Sequence, residues 1–236
     1  RKEFTLSREG RHYLIQCIFF QDMSFEILIT DNTQMVKRSI MKQQLTSNIA
    51  HELKTPISSV KGYLETILNN PGLEEAKIRY FVDKAFLQTE RLSLLVSDIA
   101  MLNKIEESSE LYPREMVNVL TLVGEVAESL RDALKSKNIN IEIMISREVV
   151  VRANQSLLFS IFRNLLENSV NYGGEGITVT ITCYHEDGGY YYFSFADNGL
   201  GVEDEHMQRL FERFYRVDSG RSRKYGGTGL GLAIVK

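Results

Sequence analysis

The sequence predicts an α+β protein of more than one domain, in which an antiparallel helical hairpin precedes an α/β sandwich domain. Three observations favour this fold. Apolar residues recur at helical spacing through two long segments, which the turn signal "NNPG" at 69–72 separates. After the hairpin, helical and strand patterns alternate. A short run of strand patterns also precedes the first helix.

Length and composition are those of a globular chain with no marked attraction to polyanions. The chain has 236 residues, 43% hydrophobic and 25% charged, and a net charge of −3. This balance argues against nucleic acid as a partner. The two cysteines, Cys17 and Cys183, form no metal-binding spacing, which favours a reducing compartment. Because the chain begins without Met and holds no apolar run of ~20 residues, we expect it to be a piece of a longer protein that is membrane-anchored upstream.

Residues 1–31 carry three strand patterns and little else. The segments "KEFTL", "RHYLIQCIFF" and "SFEILIT" are rich in β-branched and aromatic residues, and "SREG" between the first two is a turn signal. Three strands are marginally stable without further packing. We therefore expect these residues to be either the end of a sensory domain or a tail that packs on another element.

Residues 32–107 predict two long helices. The first has apolar residues from Met41 to Ile67 at helical spacing, and the second has a heptad-like stripe from Ile78 to Leu102. One hairpin buries only part of such stripes, whereas two copies form a four-helix bundle. The pattern therefore predicts a homodimer.

Residues 108–117 are mostly polar, include Pro113 and predict a linker. From 118 to 236 the expected order is a helix to about Lys137, two strands, a helix over 155–171, two further strands and a glycine-bearing stretch. This order predicts a second, α/β domain.

The stretch "SNIAHELKTP" at 47–56 places a histidine on the first helix. His51 lies between Ile49 and Leu53, which face the core, so His51 faces outward. Thr55 follows one turn later on the same face, and Glu52 is near enough to orient the imidazole. Taken alone, the pair is more often a solvated surface histidine.

Three asparagines follow i, i+4, i+7 spacing in "NLLENSVNY". Asn164, Asn168 and Asn171 therefore share one helix face, although asparagine is a poor helix former. Their amide oxygens could hold a hydrated Mg²⁺. Surface asparagines explain the pattern equally well by themselves.

Two glycine-bearing segments follow the last strand. In "DNGLG", Asp197 could accept a purine amino hydrogen, although an ordinary Asp-Gly turn has the same residues. In "GGTGLGL", at 226–232, glycines let backbone N–H groups approach phosphates. The segment between them is basic and suits either a lid over a triphosphate or a disordered surface loop; its cations are Arg213, Arg216, Arg221, Arg223 and Lys224.

Taken in this order, the motifs resemble those of sensor histidine kinases of two-component systems. "SNIAHELKTP" is similar to the phosphoacceptor H box, "NLLENSVNY" to the N box and "DNGLG" to the first glycine box. "LFERFYR" is similar to the F box, and "GGTGLGL" to the second glycine box. The resemblance covers residues 33–236.

The resemblance implies a role for each matching residue. His51 would be phosphorylated, Glu52 would be its base or orienter, and Thr55 would position water in a phosphatase reaction. Asn168 would bind Mg²⁺ with help from Asn164. The implied ATP-binding residues are Asn164, Asn168, Asn171, Tyr172, Asp197, Gly199, Gly201, Arg216, Gly227, Thr228, Gly229, Leu230 and Gly231.

The resemblance also implies a fold and a reaction. The second domain would be an ATP-binding sandwich of the type shared with gyrase and Hsp90, here ending before the family's last strands. ATP and Mg²⁺ would phosphorylate His51, and an aspartate of a response regulator would then receive the phosphoryl group. Two alternatives are a gyrase-type ATPase, against which the "HELKTP" hairpin argues, and a degenerate or truncated kinase core acting as a dimeric scaffold or phosphatase.

Overall fold

The computed structural model describes residues 2–107, 113–217 and 227–236. The chain divides into two compact units, Arg1–Ser58 and Ser59–Lys236. The boundary between them falls within the first long helix, so each unit contains part of that helix.

The first unit contains an antiparallel three-stranded sheet in the order β1-β2-β3. Its strands are β1 (Lys2–Arg8), β2 (Arg11–Phe19) and β3 (Phe25–Asp31). The last strand passes directly into helix α1, because the Thr33 N–H donates to Asp31 Oδ1 at 2.9 Å and the His12 N–H donates to Thr33 Oγ1 at 2.8 Å. Several apolar side chains of the sheet are exposed, including Phe4, Leu6, Phe25, Ile27 and Ile29.

The hairpin consists of α1 (Thr33–Leu68) and α2 (Glu75–Glu107). Beside the turn, the rings of Tyr63 and Phe81 are 6.1 Å apart, which joins the end of α1 to the start of α2. The predicted stripe on α2 is buried or half-buried throughout; it comprises Ile78, Phe81, Ala85, Leu92, Leu95, Ile99 and Leu102. Among the described residues, no helix has the length and apolar character needed to cross a membrane.

Within the described residues, the C-terminal domain contains five helices, two of them of only four or five residues, and two small sheets. Strand β4 pairs with β6, and a second sheet has the order β5-β7-β8, with β5 and β7 parallel and β7 and β8 antiparallel. The elements are β4 (Glu115–Asn118), α3 (Val119–Ser129), α4 (Arg131–Ser136), β5 (Asn140–Met144), β6 (Val150–Ala153), α5 (Gln155–Tyr172), β7 (Thr178–Asp187), β8 (Tyr190–Asp197), α6 (Asp204–Met207) and α7 (Gly231–Val235).

Two features differ from the sequence-based expectation. The single helix expected from 118 to about 137 is divided at Leu130, whose backbone (φ −111°, ψ 11°) leaves the helical conformation. The end of the expected linker forms strand β4, which pairs with β6 about 35 positions later. A four-residue strand is too short to show a clear alternation, so only this pairing defines it.

Side-chain caps begin the two main helices of this domain. Asn118 Oδ1 accepts a hydrogen bond from the Thr121 N–H at 3.0 Å, and Asn154 Oδ1 accepts one from the Leu157 N–H at 3.1 Å. Each cap satisfies one of the N–H groups that a helix start leaves without an intrahelical partner.

The core of this domain lies between helices α3 and α5 and the β5-β7-β8 sheet. Phe162 of α5 meets Phe193 of β8 edge to face, with ring centres 5.9 Å apart. The most completely buried side chains of this core are Val119, Leu122, Val123, Val126, Leu166, Val179 and Ile181. This packing brings the end of α5 beside the end of β8, where the predicted site residues lie.

Candidate active site

Asp197 ends strand β8 and is oriented by two hydrogen bonds. Its Oδ2 accepts from the Ser169 hydroxyl of α5 at 2.7 Å, and its Oδ1 accepts from the Gly199 N–H at 3.0 Å. An ionised carboxylate retains further lone pairs after two such bonds. The exposed, fixed Asp197 side chain can therefore accept a hydrogen from an amino group of a ligand.

The first glycine segment makes a close backbone contact with the end of α5. The Leu200 N–H donates to the Gly173 carbonyl at 3.2 Å. A Cβ atom at Gly199 would stand 2.6 Å from Gly173 Cα, inside the closest approach of real Cβ atoms. Gly201 has a φ of +69°, which favours glycine. Gly199 is therefore required by close packing beside Asp197, and Gly201 by its backbone conformation.

The second glycine segment, residues 227–231, packs against the asparagine-bearing face of α5. A Cβ at Gly227 would lie 2.5 Å from the Tyr172 hydroxyl oxygen, and one at Gly231 would lie 2.5 Å from Asn164 Oδ1. The structure thus brings together two segments that are more than fifty positions apart in the sequence.

Phe214 and Arg216 form a further wall of this segment. The Phe214 N–H donates to the Gly229 carbonyl at 2.8 Å, and Phe214 itself has a positive φ of 63°. Gly229 has a φ of +74°, and a Cβ there would be 3.3 Å from Arg216 Cγ. Half-buried Arg216 is therefore near the expected phosphate-binding backbone. The expected lid cations Arg221, Arg223 and Lys224 lie outside the described residues.

The asparagines of α5 carry side-chain amide oxygens that can serve as ligands for a cation. Asn164 donates its Nδ2 to the Ser160 carbonyl at 2.8 Å, and its Oδ1 is next to Gly231. The buried Nδ2 of Asn168 has no hydrogen-bond partner within the described parts of the chain. A half-turn of that amide would present its oxygen instead. This donor set fits Mg²⁺, which prefers oxygen ligands. Asn171 is half-buried on the same helix.

Thr228 makes a contact that sequence reasoning missed. Its hydroxyl donates to Asp98 Oδ2 of α2 at 2.6 Å, and its oxygen accepts from the Leu230 N–H at 3.2 Å. Thr228 is buried, and Leu230 is fully buried. Burial raises the pKa of Asp98, and the nearby Glu167 charge acts in the same direction, whereas the Thr228 hydrogen bond and the charge of Arg163 oppose the shift.

His51 lies in the first unit, on α1, and its side chain is exposed. Ile49 and Leu53 on either side of it are half-buried, as their spacing predicts. Thr55 Oγ1 donates to the His51 carbonyl at 3.3 Å, so it follows His51 by one helical turn. Glu52 is half-buried, and the helix continues through the buried Pro56. An imidazole in this setting is open to a reaction partner.

An exposed histidine on a long helical hairpin and a polar site on a separate α/β domain define a class of phosphotransfer proteins. Two family models match the chain in the same places. The "His Kinase A (phospho-acceptor) domain" matches residues 41–108, and the "Histidine kinase-, DNA gyrase B-, and HSP90-like ATPase" matches residues 153–236.

Several named sensor proteins are similar to this chain in sequence. The phosphate regulon sensor protein PhoR of Pseudomonas aeruginosa is 33% identical over 212 residues, which are 89% of this chain and 47% of that protein. PhoR of Haemophilus influenzae is 32% identical across 100% of this chain and 55% of its own length. The sensor histidine kinase WalK of Bacillus subtilis is 29% identical, with 89% of this chain and 34% of WalK covered. The chain thus spans about a third to a half of these relatives.

Solved structures agree in fold. The histidine kinase AdeS of Acinetobacter baumannii matches with a TM-score of 0.61 at 24% identity, over 78% of this chain and 83% of that chain. Full-length ShkA in complex with AMPPNP matches with a TM-score of 0.57 at 29% identity, over 82% of this chain and 39% of that one. The chain belongs to the sensor histidine kinases of two-component systems.

Proposed function

We propose that this chain is the catalytic core of a protein-histidine kinase, which uses ATP to phosphorylate His51 and then transfers the phosphoryl group to an aspartate of a response regulator. The observation that carries the proposal is the convergence of Asn164, Tyr172 and Asp197 with both glycine segments on one domain. The same chain presents an exposed histidine on its hairpin. Phosphatase activity toward the regulator is part of this proposal.

The nucleotide would be held by groups already oriented in the protein. Asp197 would accept a hydrogen from the adenine amino group, and Tyr172, which is 43% exposed, would pack near the base. Backbone N–H groups of the second glycine segment would donate to the phosphates, with Arg216 beside them. Asn168 and Asn164 would hold Mg²⁺, which neutralises phosphate charge when bound.

The proposed reaction at His51 balances without a further reactant. One imidazole nitrogen attacks the γ-phosphorus, the bond from that phosphorus to the bridging oxygen breaks, and ADP leaves with the electron pair. The proton on the other ring nitrogen becomes more acidic, and Glu52 would accept it or hold the ring in place. An aspartate carboxylate of the regulator then attacks the phosphohistidine, which restores the imidazole. In the phosphatase reaction, Thr55 would position the attacking water.

We further propose a homodimer through the hairpin and a response regulator as the partner. Apolar α1 side chains such as Met41, Ile57 and Leu64 are 45–56% exposed in the single chain, and a second hairpin could cover them. A structure of similar fold, at a TM-score of 0.64 and 17% identity, holds the histidine kinase ThkA with the response regulator protein TrrA. That likeness supports the fold, and the partner remains a proposal.

The cellular setting is proposed on the names of the relatives. Proteins named sensor proteins are about twice as long as the matched region. We propose that the present chain works in the cytoplasm as part of a membrane-anchored sensor, with residues 1–31 ending its sensory domain, 32–107 as the phosphotransfer hairpin, 108–117 as the linker and 118–236 as the ATP-binding domain.

Autophosphorylation with γ-labelled ATP and Mg²⁺ tests the function. We expect label on the wild-type chain that is lost in acid and kept in alkali, because phosphohistidine has a labile P–N bond. His51→Gln should carry no label. The same change at another exposed histidine, His185→Gln, should leave the labelling like that of the wild type. Release of free phosphate with no label on His51 would contradict the proposal and favour a gyrase-type ATPase.

A further inference from the structure

The contact between Asp98 and Thr228 joins two parts of the protein that the proposed reaction uses separately. Asp98 lies on α2, the second helix of the phosphotransfer hairpin, and Thr228 lies 130 positions later in the second glycine segment. The separation of 2.6 Å is typical of a hydroxyl that donates to a carboxylate. Since Thr228 also accepts from the Leu230 N–H, its hydroxyl is engaged as both donor and acceptor.

The packing between α2 and the ATP domain is not close throughout. A cleft of about 450 Å³ lies next to α2, and Met101 of α2 lines it together with Pro113, Glu115, Asn154, Phe159 and Ser160. An interface with a cleft of this size has fewer van der Waals contacts than a close-packed one. The Asp98–Thr228 hydrogen bond therefore contributes to holding α2 against the glycine segment.

The charges around Asp98 bear on what else this segment can bind. The charged groups that face Asp98 are Glu167 and Arg163 of α5, and these two are paired with each other at 2.8 Å. An ionised Asp98 therefore adds net negative charge beside residues 227–231. A nucleotide triphosphate on the same backbone N–H groups is also strongly negative, and like charges at short range repel each other in a partly buried site.

We propose that Asp98 and ATP oppose each other at the second glycine segment: the Asp98–Thr228 contact holds the nucleotide-free ATP domain on α2, and ATP binding weakens that contact. This inference rests on the proposed function, because it takes ATP as the ligand of the segment. Thermodynamic linkage makes the effect reciprocal. The contact makes the binding free energy of ATP less favourable by the same amount as bound ATP lowers the stability of the contact. The ATP domain is then released from its own hairpin when it is loaded for transfer.

Burial raises the pKa of Asp98, and the charge of Glu167 acts in the same direction, so a further negative charge from a nucleotide beside the carboxylate would be unfavourable. The effect of the contact is to restrain the domain rather than to take part in chemistry. Asp98 is accordingly a positioning residue, and its variants should change nucleotide affinity even when no phosphoryl transfer takes place.

Titration of the intact chain with a non-hydrolysable ATP analogue and Mg²⁺ tests the proposal. Asp98→Asn removes the charge and keeps an acceptor for Thr228, whereas Asp98→Ala removes both. We expect the analogue to bind roughly 5-fold more tightly to Asp98→Asn, and at least as much more tightly to Asp98→Ala, from the usual size of coupling between sites. The matched control is Asp83→Asn, an exposed aspartate on the same helix, which should bind like the wild type.

Hydrogen exchange supplies a second readout that does not depend on measuring the affinity for nucleotide. In the nucleotide-free chain, Asp98→Ala should speed exchange across 227–235, and adding the analogue to the wild type should speed exchange in the part of α2 around Asp98. Unchanged or weaker analogue binding by both Asp98 variants, with a binding-competent wild type, would overturn the inference and leave the proposed function intact. A wild-type chain that binds no analogue would overturn both.

Discussion

The hydroxyl of Ser169 donates a hydrogen bond to Asp197 Oδ2 at 2.7 Å, which ties the last turn of the asparagine-bearing helix to the end of strand β8. Ser169 is buried, and Asp197 is the residue expected to bind the adenine amino group. One side chain of the helix thus orients a group that a different element supplies. The proposed adenine site and the proposed Mg²⁺ site would therefore be coupled through α5.

Replacing Ser169 should weaken nucleotide binding without abolishing it. Ser169→Ala removes one of the two donors that orient Asp197, and a hydrogen bond to a charged group contributes about 1.5–3 kcal/mol. We expect the dissociation constant for ATP to rise by roughly tenfold to a hundredfold, measured by calorimetric titration. Ser160→Ala is a matched control, because Ser160 lies on the same helix and donates only to the Ser156 carbonyl. Equal affinity of the two variants would contradict the orienting role.

Asn168 should matter for the ligand and not for the fold. Its buried Nδ2 has no partner within the described residues, so Asn168→Ala removes a polar group whose burial is already unfavourable. We expect the unfolding temperature of the nucleotide-free variant to stay close to that of the wild type. The increase that ATP and Mg²⁺ produce in the wild type should be absent. A variant that loses stability without ligand would show that Asn168 is structural instead.

Two glycine-to-alanine changes should affect different properties: Gly231→Ala should weaken ligand binding, and Gly124→Ala should raise folding stability. Gly231→Ala places a Cβ 2.5 Å from Asn164 Oδ1 and must displace that side chain, so we expect weaker ATP and Mg²⁺ binding. Gly124 lies inside α3 with open space around its Cα, and Gly124→Ala should stabilise the protein by about 0.5–1 kcal/mol. Urea unfolding and ATP titration of both variants check the pair. Impaired binding by Gly124→Ala, or normal binding by Gly231→Ala, would contradict this assignment.

Asp98 should make the stability of the chain depend on pH. Its pKa in the folded protein is raised above the 3.8 of an exposed aspartate, chiefly by burial. The folded state therefore binds a proton more tightly than the unfolded state, so this contribution is fully present below about pH 3.8 and is lost as pH rises through the folded pKa. Relative to Asp98→Asn, which does not titrate, the wild type should lose stability over that range. Urea midpoints for both proteins at several pH values measure it, and a constant difference would contradict it.

Local sequence patterns predicted the hairpin and most of the ATP domain. Helical spacing along α1 and α2 and the turn at 69–72 were confirmed, as were α5 and strands β5 to β8 within a few residues. These elements are readable because their periodicity extends over many residues. The break at Leu130 and the strand β4 were not predicted, since the first depends on one residue's backbone and the second on pairing with β6.

The sequence by itself determined the residues available for chemistry: His51 on an outward helix face, the asparagines on one face of α5, and Asp197 at the end of a strand. Only the tertiary structure decided which of them meet, because contacts between distant segments depend on packing and leave no periodic trace. The Ser169–Asp197 and Asp98–Thr228 hydrogen bonds join residues 28 and 130 positions apart. Packing of α5 on the β5-β7-β8 sheet brings the first pair together, and the placement of α2 beside the second glycine segment brings the second.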